Sequence, residues 1–67
     1  MFLAMRGAER IVEGGNLEQV VIAAESYCRP GTGDIVVWSK HGYIVAEIED
    51  QGNLAEPYTI YTGREYL

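Results

Sequence analysis

Sixty-seven residues of 7.5 kDa support one domain, residues 1–67, because a chain this short buries only about 60 % of the surface its unfolded form exposes. A hydrophobic share of 48 % and a charged share of 22 % are those of a globular chain, which excludes disorder and fibrous repeats. The net charge of −5 opposes attraction to phosphates and anionic lipid, so neither a direct nucleic-acid partner nor a membrane partner is expected.

The first segment, residues 1–13, reads two ways. Ala4, Ala8, Ile11 and Val12 share a helical face, whereas Phe2–Met5 and Glu9–Glu13 also serve as one strand with Gly7 at a bulge. A strand is the better expectation, because a lone helix on a three-stranded sheet leaves Trp38 and Val45 uncovered. Met1–Met5 is apolar but has no basic region before it, which speaks against a signal peptide and for a cytoplasmic protein.

The second segment carries a helix signature. Asn16 followed three residues later by Gln19 is related to the capping box, and Glu18 falls where the helix dipole favours negative charge. Leu17, Val20, Val21, Ala24, Tyr27 and Cys28 form one apolar arc at helical spacing, with Ile22 and Ala23 off it. Pro30 disfavours the helical conformation at Arg29, so the helix should end near Tyr27 or Cys28. The β-branched run Val20-Val21-Ile22 keeps a strand as the alternative. Val20–Ala24, an uninterrupted apolar run equalled in length only by Met1–Met5, is far short of the roughly 20 residues a spanning helix needs.

Asp34–Lys40 and Tyr43–Asp50, joined by His41-Gly42, predict a hairpin with a two-residue primed turn, which needs positive φ at both central residues. That turn sets Lys40 opposite Tyr43, Trp38 opposite Val45, Val37 opposite Ala46, Val36 opposite Glu47 and Ile35 opposite Ile48. One face then carries Ile35, Val37, Ser39, Ile44, Ala46 and Ile48 as the core. The other carries Val36, Trp38, Lys40, Tyr43, Val45, Glu47 and Glu49. Pro57–Thr62 alternates as a further strand, and its opening proline suits an edge. The expected fold is α+β, one helix packed on an antiparallel sheet of three to four strands. Gly33-Asp34 leading into Ile35-Val36-Val37 resembles a strand start in small SH3-like barrels, a similarity of about six residues. It implies the alternative fold, an all-β barrel in which residues 17–25 are a strand.

Chemistry-bearing residues are few. Cys28 and His41 form the one available thiol and imidazole pairing, but Cys28 fits the core arc and His41 fits the turn. A single Cys also means no intrachain disulfide, so self-association is one way to add buried area. One His, one Cys and scattered carboxylates do not make a zinc site, and no calcium-loop spacing occurs. Pro30–Asp34 is glycine-rich but lacks the Gly-Lys-Ser/Thr ending of a phosphate loop and leads into a strand. No catalytic residue, cofactor or metal is therefore expected, and the chain reads as a non-enzyme.

The aromatics Trp38, Tyr43, Tyr58, Tyr61 and Tyr66 have only Lys40 and Arg64 as basic company, which suits a protein interface better than base stacking. The leading expectation is a noncatalytic acidic module that binds the basic surface of a protein partner through Val36, Trp38, Tyr43, Val45, Glu47 and Glu49. One form of it is a small phage-type inhibitor occluding a nucleic-acid channel by imitating its charge, in the manner of anti-CRISPR or polymerase-inhibiting proteins. The second reading is a structural homo-oligomer or accessory subunit that buries the same face against a copy of itself.

Overall fold

A computed structural model describes residues 1–62 of the chain; Arg64 and Tyr66 lie outside the described residues. In chain order the elements are β1 (Phe2–Arg6), β2 (Glu9–Gly14), α1 (Leu17–Glu25), β3 (Ile35–Ser39), β4 (Ile44–Glu49) and β5 (Tyr58–Tyr61). The strands form one antiparallel sheet in the order β2-β1-β3-β4-β5, with α1 against one face. The fold is α+β as expected, with five strands rather than three or four.

The added strand comes from residues 1–13, which make two strands and not one. Gly7 has φ +58°, a value glycine adopts without penalty, and with Ala8 it reverses the chain so that Arg6 pairs with Glu9. A single positive φ at the first central position is the pattern of a type II′ hairpin turn. The bulge assigned to Gly7 lies elsewhere: the register shifts between Ala4 and Met5, where Ile11 is the extra residue on β2.

The helix overturns the barrel alternative, which required a strand over residues 17–25. Asn16 caps it by accepting the Gln19 N–H at 3.0 Å. Regular helix stops at Glu25, earlier than the apolar arc suggests, and the N–H groups of Ser26, Tyr27 and Cys28 reach back only three residues, to Ala23, Ala24 and Glu25. This tighter winding leaves Tyr27 exposed, while Val20, Val21, Ala24 and Cys28 stay in the core. They pack with Ala4, Ile35, Val37, Val45, Ala46 and Ile48, all fully buried.

The β3–β4 hairpin departs from the expected turn. Ser39 donates its N–H to Tyr43 O at 2.7 Å and accepts the Gly42 N–H at 3.0 Å, so Lys40, His41 and Gly42 form a three-residue loop. Gly42, at φ +86°, supplies the only positive φ there. One extra loop residue shifts the register by one and would turn every β4 side chain to the other face. A bulge at Val45 cancels the shift: Trp38 pairs with Ile44, whereas Val37 pairs with Ala46, Val36 with Glu47 and Ile35 with Ile48. The pairs beyond the bulge are those the sequence predicts, and those between bulge and turn are not.

The segment before β3 is tied to the end of β4. Asp34 Oδ1 accepts the Asp50 N–H at 2.8 Å, and the Asp50 carboxylate accepts the N–H groups of Gly33 at 3.0 Å and Gly52 at 2.8 Å.

Candidate sheet-face interface

With α1 on one side, strand alternation directs the other set of side chains to the opposite side of the sheet. Registers across all strands fix two cross-strand rows there. One runs Glu13, Leu3, Trp38, Ile44; the other runs Arg10, Met5, Val36, Glu47, Ile60. Glu49 faces Tyr58 beside the second row. Directly opposed side chains in such rows stand about 5 Å apart, close enough to make one continuous surface. The helix is the only one among the described residues, and it packs on β1, β2 and β4 from the core side. Trp38 and Ile60 are each 36 % exposed, and Tyr58 is 59 % exposed.

Of the residues expected to share this face, Val36, Trp38, Glu47 and Glu49 do so. Val45 does not. As the bulge residue it lies wholly inside the core, at 0 % exposure. Tyr43 stands opposite Ser39, which alternates with Trp38, and so belongs with the other side. Ile44, expected in the core, moves to the Trp38 row for the same reason. Tyr58, named from the sequence only as an interface-suited aromatic, joins the face, and Leu3, Met5 and Ile60 were missed; the alternation in Phe2–Met5 and Tyr58–Tyr61 carries them once both segments are placed as neighbours of β3 and β4.

Glu47 has an unusual place. It stands between Val36 and Ile60, one strand in from the β5 edge, with an exposed side chain amid apolar neighbours. The face thus offers an indole flanked by Leu3 and Ile44 and, diagonal to it, a carboxylate set between Val36 and Ile60.

Other candidate chemistry is separated by the fold. Cys28 Sγ lies 3.7 Å from Gly33 O, just before β3, whereas His41 sits in the loop beyond its far end. Burial, reinforced by the charges of Asp50 and Asp34, pushes the Cys28 thiol up in pKa and keeps it protonated. In the glycine-rich segment the Gly33 N–H is already taken by the Asp50 carboxylate, an internal anion where a phosphate loop would hold an external one. Among the described residues no group of three or more His, Cys, Asp or Glu side chains is placed to hold a metal, and no helix is long and apolar enough to cross a membrane.

Comparison with family models, curated proteins and solved structures finds no match to the chain.

Proposed function

We propose that the chain is a noncatalytic binding module whose helix-free sheet face docks on a protein partner. The observation that supports this is a pair of cross-strand rows on the side of the sheet away from α1, with Trp38 between Leu3 and Ile44. Large aromatic anchors surrounded by smaller apolar contacts dominate binding energy in protein interfaces. The carboxylates define the partner's chemistry. Burying Glu47 without a counter-charge is costly, so the partner presents a Lys or Arg to it, with further basic groups toward Glu49. The net charge of −5 steers approach to such a surface. Basic surfaces of this kind are the mark of nucleic-acid-handling proteins, the partner class of a small occluding inhibitor.

Burying the same face against a second copy is the weaker reading, because it brings two Glu47 carboxylates into one dry interface. The test is a pull-down from the native host with immobilised wild type and Trp38→Ala. Proteins retained by wild type, released by rising salt and lost with Trp38→Ala support the reading. Retention indifferent to both the indole and salt overturns it.

A further inference from the structure

The sheet has two edges, β2 and β5, and the β2 edge has a self-complementary pattern. We propose that β2 pairs antiparallel with β2 of a second copy about a two-fold axis between Ile11 and Val12. The inference goes beyond the docking reading, since it uses the sheet edge and the Arg10 and Glu13 ends of the rows while leaving Trp38, Val36, Ile44 and Glu47 open.

The backbone comes first. The closing pair of a two-residue hairpin, here Arg6 with Glu9, exchanges both hydrogen bonds, and bonded and non-bonded pairs then alternate. Met5 with Arg10 is therefore a non-bonded pair, Ala4 with Val12 a bonded one, and Leu3 with Glu13 non-bonded again. The peptide groups of Arg10 and Glu13 point away from β1, toward the free edge. The Ile11 bulge separates these two by three positions in sequence while they face Met5 and Leu3, only two positions apart. Placing Arg10 opposite Glu13 of a second copy aligns both outward-facing residues on each strand at once, because each strand carries the same bulge between them.

The side chains agree with the backbone. The bulge also brings Arg10 and Glu13 to one face, with Nη1 to Oε1 at 3.4 Å and side-chain exposures of 68 % and 51 %. In the paired edge each Arg10 gains a second carboxylate and each Glu13 a second guanidinium, an alternating ring of four charges. Registers that set Arg10 against Arg10 or Glu13 against Glu13 oppose like charges and align only one outward-facing residue. Charges on an edge strand ordinarily keep other strands away; here they exclude the wrong registers and admit this one. The pairing also joins the open faces of both copies, with Leu3 and Met5 near the axis. One short edge buries less than a standard interface of about 1,600 Å², so association in the micromolar range or weaker is expected.

Sedimentation of the full chain over a concentration series tests this. Wild type should pass from 7.5 kDa to twice that mass, less readily at high salt. Arg10→Glu and Glu13→Arg should each remain monomeric where wild type is mostly dimeric, and mixing the two should restore the dimer. Lys40→Glu, which changes net charge as Arg10→Glu does, should associate like wild type. Both β2 side chains are exposed, so matching circular dichroism of the variants is expected and is checked first. A wild type that stays monomeric to about 1 mM overturns the proposal without recourse to any variant. Single variants that dimerise normally, or a mixture that fails to recover, overturn the register.

Discussion

Trp38 stands opposite Ile44, one residue out of step with the neighbouring pair of Val37 and Ala46. The displaced residue is Val45, and its burial is the structural consequence. Val45→Ala removes buried methyl groups from a packed site and should cost about 2 kcal/mol in denaturant unfolding. Ile44→Ala, on the half-buried outer row, should cost less than Ile48→Ala in the core, for which about 2 to 5 kcal/mol is expected. Equal losses at 44 and 48 would return Ile44 to the core face.

The turn offers a second check. Ser39 Oγ accepts the N–H groups of both His41 and Tyr43, each at 3.2 Å, so Ser39→Ala should lower stability by about 1 kcal/mol. His41→Asn should be neutral, because His41 does not carry a positive φ. Gly42→Val should cost roughly 1 to 2 kcal/mol through backbone conformation alone, since a Cβ there meets nothing within 4 Å. Thermal melts of the three variants check this loop against a two-residue one, in which position 41 would carry a positive φ and His41→Asn would stabilise instead of being neutral.

What the sequence made legible follows from how each signal works. The Asn16–Gln19 cap and the Leu17, Val20, Val21, Ala24 spacing are local and announced α1 directly. The pairs of Ile35, Val36 and Val37 were legible because alternation resumes after the bulge. The bulges at Ile11 and Val45 were not, since each inserts one residue into a period of two and leaves no mark in residue type: Val45 is as apt for an exposed strand position as for a buried one. Gly7 was ambiguous for a related reason. Glycine serves a bulge and a hairpin turn equally, and only pairing of Arg6 with Glu9 decides between them.

Acid should loosen the segment before β3 through Asp50. Hydrogen bonds from the Gly33 and Gly52 N–H groups hold its carboxylate below the ordinary value of 3.8. A carboxylate whose pKa is depressed by folding adds stability above its unfolded value, and that contribution fades as the pH falls through the native one. Wild type should therefore lose stability on acidification below about pH 4 more steeply than Asp50→Asn, with the two converging at the acid limit. Amide exchange at Gly33 and Gly52 should rise over the same interval. Parallel acid profiles for the two proteins would show that the depressed pKa has no consequence for folding.

The sheet face separates two kinds of contribution to binding. Trp38 lies between Leu3 and Ile44 at the centre of its row, so Trp38→Ala should speed dissociation, with a loss of about 2 kcal/mol or more. Glu49, beside Tyr58 toward β5, acts mainly at long range; Glu49→Lys should slow association and flatten its salt dependence while leaving dissociation nearly unchanged. Glu47 combines both roles, because it is charged and yet flanked by Val36 and Ile60. Glu47→Lys should slow association as Glu49→Lys does and also hasten dissociation, since it sets a cation against the partner's own basic group. Surface-plasmon kinetics on the partner recovered in the pull-down measures both rates. Circular dichroism first establishes that each variant is folded. A Trp38→Ala protein that binds at wild-type rates but melts lower would assign the indole to the fold and move the interface off this face.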